Sequence, residues 1–171
     1  MHAEYFESIA KYDYIAFAKP LDNKGGVFAI SVVRLGVDNI LNTTQLIDSE
    51  GNIDYDKITS FSQSDYAALL SYAFRPGSHR FSVGINAKMV YRNVGKFASG
   101  YGFGFDLGVL YNADNGINYG AMLRDATTTV NFWTVNQDEL SAVVNGEEFN
   151  PAPKDKMEIT MPKLNLGVSK T

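Results

Sequence analysis

The chain has no cysteine, which excludes a disulfide framework and any thiolate metal site. It has only two histidines, His2 and His79. Neither lies in an HExxH pattern or near a plausible partner pair, and His79 reads as a solvated residue of a PGSH turn. A basic stripe is lacking as well. Fifteen Lys and Arg stand against nineteen Asp and Glu, and the sequence pI is about 5.1, which argues against a nucleic-acid binder. No run approaches the roughly 18 apolar residues of a membrane helix. There is no G-x-S-x-G elbow and no phosphate-binding P-loop. The run Gly100-Tyr-Gly-Phe-Gly does not complete G-x-G-x-x-G and reads as strand rather than as the start of a helix. Carboxylate pairs such as Glu147–Glu148 sit in loops without rigid support. These absences point to a chain that is not an enzyme and carries neither cofactor nor metal.

What is abundant is aromatic and small: ten Tyr, eleven Phe and fifteen Gly in 171 residues. Two segments show how they are arranged. In Phe81–Arg92, the residues Phe81, Val83, Ile85, Ala87, Met89 and Tyr91 alternate with Ser82, Gly84, Asn86, Lys88, Val90 and Arg92. In Tyr101–Asn112, the residues Tyr101, Phe103, Phe105, Leu107, Val109 and Tyr111 alternate with Gly102, Gly104, Asp106, Gly108, Leu110 and Asn112. A period of two is the signature of a strand with one apolar and one polar face. Each apolar face is closed at both ends by a ring. Ten residues of strand cover about 33 Å, or about 24 Å of height at a tilt near 45°. That matches the apolar band and aromatic girdles of a transmembrane β-barrel. Phe81, Tyr91, Tyr101 and Tyr111 are the expected lipid-facing girdle. Mean hydropathy is only −0.15, which a barrel also shows because lumen residues dilute lipid-facing ones.

The rest of the chain repeats the rhythm. Seven strands are expected: Lys11–Lys19, Gly26–Val37, Asp65–Arg75, the two segments above, Ile117–Asp125, and one within Met157–Lys170, where Pro162 marks a bulge, an edge position or the true strand start. Short connections (20–25, 76–79, 113–116) alternate with long ones (38–64, 126–156), and residues 93–100 form a connection of middle length. Leu140–Val144 is expected to form a short helical turn. The fold class is therefore all-β, an antiparallel up-and-down meander in one partial barrel domain covering residues 1–171. Its short turns would face the periplasm and its long loops, about 38–64 and 126–156, the outside. A soluble lipocalin-like barrel is the alternative, with the same alternation and the apolar face turned inward. The polar faces are rich in Gly, Ser and Asn, and the rings sit at strand ends, which favours the inverted arrangement.

On the polar faces, Arg75, Asn86, Lys88, Arg92, Asp106 and Arg124 are the lumen-facing candidates. Lys88 and Asp106 pair if they fall opposite each other, since buried charge without a partner is costly. The run Asp48, Glu50, Asn52, Asp54, Asp56 resembles a calcium loop in its alternation, but Gly51 stands at position 4 rather than 6 and no Glu falls at position 12. It reads as an acidic, solvated loop. Asn42-Thr-Thr is a glycosylation sequon by its letters alone.

Arg124-Asp125-Ala126-Thr127-Thr128-Thr129, followed by Asn131 and Trp133, resembles a signature of the PorV/PorQ-like outer-membrane barrels of Bacteroidetes, which are themselves similar to FadL-type barrels. The stretches YIAFAKP (14–20), LGVD (35–38), DYAA with SYA (65–68, 71–73), GFGFDLG (102–108), and MP with LGVS (161–162, 166–169) resemble further strands of that family, in order. The resemblance makes Asp125, Thr127, Thr128, Asn131 and Trp133 a signature loop. It implies a bacterial outer-membrane location and a barrel of about fourteen strands, of which this chain would be an internal portion. The first residues show no basic segment followed by an apolar one, as a secretory leader would. Two roles are implied: docking of secreted or secretion-system proteins at the cell surface in type IX secretion, or FadL-like transport of a hydrophobic ligand. The first makes Phe132, Trp133 and Val135 exposed anchors for a partner, with a Trp133 that packs inward and only folds the loop as the equal alternative. The second requires Leu69, Val90, Leu110 and Met122 to gather in one pocket.

Overall fold

The computed structural model describes residues 1–21, 26–47, 50–77, 80–140, 142–144, 147–149 and 156–170. His79, Asp48 and most of the 20–25 turn lie outside them. The chain is a single antiparallel meander: β1 (His2–Tyr5), β2 (Ala10–Leu21), β3 (Gly26–Asn42), β4 (Thr59–Phe74), β5 (Phe81–Val94), β6 (Ala98–Asn112), β7 (Ile117–Arg124), β8 (Thr129–Val135), β9 (Ala142–Val144), β10 (Glu147–Phe149), β11 (Met157–Thr160) and β12 (Lys163–Lys170). The order β1-β2-β3-β4-β5-β6-β7-β12 runs across one sheet, with β8 on the other half of β6 and β11 on β8. β9 and β10 form a separate hairpin. The described sheet is not closed, and its architecture is compatible with part of a barrel.

The seven-strand rhythm holds, with longer strands than the alternation alone marks. β3 runs on to Asn42 because an irregularity between Val37 and Ile40, with Asn39 at φ 59°, lets the ladder resume beyond it. The first long loop is thus 43–58, not 38–64. β5 and β6 pair up to Val94 and Ala98, so 93–100 is mostly ladder and only a tight turn at Gly95–Phe97 remains. Residues Thr129–Val135, expected in a long loop, are a strand on Ala98–Phe103 of β6. Alternating apolar residues (Val130, Phe132) make that strand, and the unusual turn before it hides the continuity from a reading by turn residues. The second long connection is therefore 136–156. It opens with one helical turn, Gln137–Leu140, and Ala142–Val144 is strand rather than helix. Pro162 stands just before β12, where its missing N–H breaks the last strand in two. β1 was not marked by the sequence pattern.

The registers place side chains by face. Tyr66, Tyr91, Tyr101 and Phe132 form one cross-strand row, and Phe81, Tyr111 and Tyr119 form another. Ring centroids are 6.2 Å apart for Tyr66–Tyr91, 4.8 Å for Tyr91–Tyr101 and 6.5 Å for Tyr111–Tyr119. Between these rows lie Leu70, Ile85, Met89, Phe103, Phe105 and Leu107, all on the same face and all largely exposed. Among the described residues the only buried apolar side chain is Phe97, in an edge-to-face contact with Phe61 beneath the turn. The buried polar residues are Asn42, Asp106, Asp125, Thr129 and Asn131. Among the described residues no second layer covers the apolar face. The buried polar side chains lie off that face, and it is apolar apart from charged residues such as Asp13 and Arg34 on β2 and β3.

In line with the tyrosine row, through Arg34 and Asp13, β1 folds onto β2. His2 bonds Asp13 at 2.6 Å and Glu4 at 3.1 Å, Asp13 meets Arg34 at 3.1 Å, and Lys11 meets Asp38 at 2.8 Å. Asp13 first, then Glu4, raises the His2 pKa above its ordinary 6.5. The sign follows directly. A raised folded-state pKa gives stabilisation that is fully present below pH 6.5 and is lost as pH rises through the higher folded value. NMR titration of the His2 ring is expected to give a pKa above 6.5 that returns toward the ordinary value in Asp13→Asn. An unshifted His2 in the parent chain would remove this contact from the account.

Candidate functional site

The inner face is organised by one interruption. Leu107 pairs Leu123, and Phe103 pairs Val130. Four steps along β6 therefore face seven along β7–β8, and the three surplus residues are taken up in the Asp125-Ala126-Thr127-Thr128 turn. Asp125 and Thr128 take positive φ, 53° and 63°, an uncommon conformation for a β-branched residue. The turn is closed by Thr128 N–H donating to Asp125 C=O at 2.7 Å, and it is anchored to β6 by Ala126 N–H donating to Phe105 C=O at 2.7 Å. Asp125 N–H donates to Asp106 Oδ1 at 2.8 Å. The signature residues are thus not an outward loop. They form a bulge at mid-wall, with Asn131 and Trp133 on the strand that follows.

Lys88 ties the bulge to the wall. Its Nζ lies 2.7 Å from Asp106 Oδ1 and 2.5 Å from Asp125 Oδ1, and Thr129 Oγ1 donates to Asp125 Oδ1 at 2.5 Å. The three charged side chains are only 11%, 5% and 8% exposed for Lys88, Asp106 and Asp125. Lys88 does not face Asp106 squarely. It faces Gly104, and Asp106 faces Asn86, so the pair is diagonal and the lysine stem crosses above Gly104. That crossing explains part of the glycine pattern. A Cβ on Gly104 would meet Thr129 Oγ1 and lie 3.0 Å from Lys88 Cε, and one on Gly102 would meet Asn131 Oδ1. By contrast, Gly167 has nothing within 4 Å of an added Cβ.

A second group sits nearer the long-loop rim. Arg92 bonds Glu158 at 3.2 Å and Asp65 at 3.4 Å, and its guanidinium lies 5.6 Å from the Trp133 ring centre. Trp133 covers Gly100, and its indole N–H donates to Glu158 at 2.9 Å. Trp133 is half-buried; of the two readings of it, exposed anchor or inward packing, the Gly100 contact and the Glu158 acceptor agree with the second. Val135 is half-buried, and of the three expected anchors Phe132 alone is exposed. Asp65 Oδ1 is buried without a hydrogen-bond partner.

Of the lumen-facing candidates, Lys88, Arg92, Asp106 and Arg124 line one pocket of about 470 Å³ with Asp65, Asp125 and Asn131. Asn86 lines a different groove, of about 500 Å³, and Arg75 is an exposed residue past the end of β4. Leu110 and Met122 lie in the groove with Asn86, whereas Leu69 and Val90 lie in the charged pocket. The four apolar inner residues are thus divided, with the Lys88 ion pairs between them. Thr127 is exposed and Thr128 half-buried. The signals that sequence reading missed were Thr129 and Asn131 as buried inner residues and Glu158 as the acceptor for Trp133 and Arg92. Of these, only the glycines opposite them gave a hint.

The geometry can hold strands in register and set the field inside the wall. Comparison with protein-family models, with curated proteins and with solved structures found no match.

Two outcomes test this construction. Lys88→Ala leaves two buried carboxylates without their cation and is expected to destabilise by about 3–5 kcal/mol, read by denaturant unfolding. Gly104→Ala is expected to cost about 1–3 kcal/mol, while Gly167→Ala stays within about 0.5 kcal/mol. Equal effects of the two alanines would contradict the close approach at Gly104.

Proposed function

We propose that the chain forms part of the wall of a bacterial outer-membrane β-barrel that binds partner proteins at the cell surface, in the manner of the PorV/PorQ-like barrels. One observation carries the membrane part: a single-layer sheet exposes a broad apolar face bounded by two aromatic rows, while Lys88, Asp106 and Asp125 are buried on the opposite face. In water such a face is a large exposed apolar patch, which soluble monomers avoid. Against hydrocarbon it is the expected surface. The same observation counts against a lipocalin-like binder, whose apolar residues would turn inward.

The partner-binding part rests on the family resemblance and on both long connections, 43–58 and 136–156, emerging at one rim, beyond the Tyr66–Tyr91–Tyr101 row. The shorter of the two is built rather than loose. Asn42 Oδ1 accepts from Thr44 N–H, Ile47 bridges Ile53, and Asp54 caps a turn at Tyr55–Lys57. The Asp54 carboxylate serves its turn by accepting from Asp56 N–H. The transport reading is weaker, because its required apolar pocket is split.

Arginine scanning of β5 in bilayers tests the membrane assignment. Ile85→Arg is expected to destabilise the inserted chain by about 2–4 kcal/mol, while arginine at Phe81 or Tyr91 costs about 0–1 kcal/mol. A flat profile, or a chain that fractionates with soluble proteins, would refute the assignment. For the surface role, protease added to intact cells is expected to cut within 43–58, and protection of that loop would count against it.

A further inference from the structure

The outward face does not have the same apolar height on every strand. On β5 and β6 it runs without charge from Tyr91 to Phe81 and from Tyr101 to Tyr111. The ladders carry that face across to β2. Asp13 pairs Arg34 and Arg34 pairs Tyr66, while Lys19 pairs Phe28, Phe28 pairs Tyr72 and Tyr72 pairs Ile85. Paired residues share a face, so Asp13, Ile15, Phe17 and Lys19 all point outward. Between its two charged residues β2 offers only Ile15 and Phe17, which are 72% and 65% exposed. At one end the charge belongs to a network: Asp13 bonds His2 and Arg34, His2 bonds Glu4, and Lys11 bonds Asp38. All these groups are partly exposed, and so many ionisable side chains need water or headgroups beside them. At the other end Lys19 makes no ion pair among the described residues. It stands in the row of Ile85 and Leu107, near the middle of the β5–β6 band.

Strand tilt does not remove this mismatch. Inclined rows raise or lower β2 as a whole relative to β5. A tilt that brings Lys19 to the short-turn surface draws Asp13 into the hydrocarbon, and the opposite tilt draws Lys19 in. What counts is the separation of the two charges on their own strand. They are six residues apart, about 20 Å along the strand and about 14 Å of height at a tilt near 45°, against about 24 Å on β5 and β6. The lysine stem leans toward the surface and recovers part of the difference. Asp13 is short and is held by Arg34 at 3.1 Å, so it recovers none.

We propose that the outward face of β2 is a lipid site at which the bilayer is locally thinned, with a phospholipid headgroup phosphate of the short-turn leaflet drawn up to the Lys19 ammonium. A wall whose apolar stretch is too short for the bilayer thins it, and Ile15 and Phe17 supply the short apolar layer. This rests on the membrane reading above. The site is a face and not an edge: a strand paired to the free side of β2 flanks Ile15 and Phe17 without covering them. The charges around Asp13 already pair within the chain, so they leave no unbalanced cluster for a protein partner to neutralise.

The chain has no native cysteine, so single spin labels report this directly. Phe17→Cys, Phe81→Cys, Ile85→Cys and Asn86→Cys are each labelled in the full chain reconstituted in phosphatidylcholine bilayers. Access of dissolved oxygen and of a water-soluble nickel relaxant is measured at each. The label at position 17 is expected to meet the nickel reagent about as freely as the one at 81, several-fold more than the one at 85. Lys19→Leu is expected to shield position 17 to the level of 85 and to leave 81 and 85 unchanged. A label at 17 as shielded as that at 85 with Lys19 in place, or one unmoved by Lys19→Leu, overturns the proposal and leaves the membrane reading standing. Shielding of position 17 from oxygen as well as nickel shows a protein seated on the flank and also overturns it. If position 85 is as open to nickel as position 86, the membrane reading falls and the proposal with it.

Discussion

The structure depends on a single constraint: the sheet has one layer, so each face must find its own solvent. In a soluble sandwich the apolar faces of two sheets meet and supply most of the stabilisation. Here the wall strands from β2 to β12 turn their apolar residues to the side that nothing covers, and Phe97 alone is buried among the described apolar residues. The ladder itself fixes relative position, through long registers such as the fourteen pairs between β5 and β6. On the proposed reading the outer face is stabilised by contact with an apolar medium, and the proposed location and loop orientation follow from that reading.

The inner face shows how such a wall tolerates charge. Lys88, Asp106 and Asp125 would each be costly alone. Together they satisfy one another, and they do so only because three surplus residues bring Asp125 back toward β6. Glycine makes the space for this. Gly100, Gly102 and Gly104 lie beneath Trp133, Asn131 and Thr129, one under each. A strand reading GYGFGFD thus encodes both faces at once, rings outward and room inward.

Much of this was legible in the sequence. Period-two alternation in Phe81–Tyr91 and Tyr101–Tyr111 marked the strands, and the rings at their ends marked the two rows that the registers align. The sites were less legible, for a physical reason. Alternation says which residues share a face but not which residues on neighbouring strands meet, and that depends on register. Lys88 and Asp106 read as a pair only if they fall opposite each other, and they pair across a diagonal instead. Thr129–Val135 was hidden because Asp125 to Thr128 looks like the start of a loop, and a bulge and a loop begin with the same residues. Trp133 turned inward because Gly100 and Glu158 wait for it from strands far away in sequence. The stretch from Asp125 to Thr128 reads as loop and is instead a tight turn between β7 and β8.

The central claim is that the outer face meets hydrocarbon. Site-directed spin labelling along residues 81–91 in reconstituted phospholipid bilayers tests it most directly, since the chain offers no competing cysteine. Labels at Phe81, Val83, Ile85, Ala87, Met89 and Tyr91 should be accessible to dissolved oxygen and shielded from a water-soluble nickel relaxant, most strongly near Ile85 and Ala87. Labels at Ser82, Gly84, Asn86, Lys88 and Val90 should show the reverse. Loss of the two-residue alternation, or free access of the nickel reagent to the odd-numbered positions, would contradict the account.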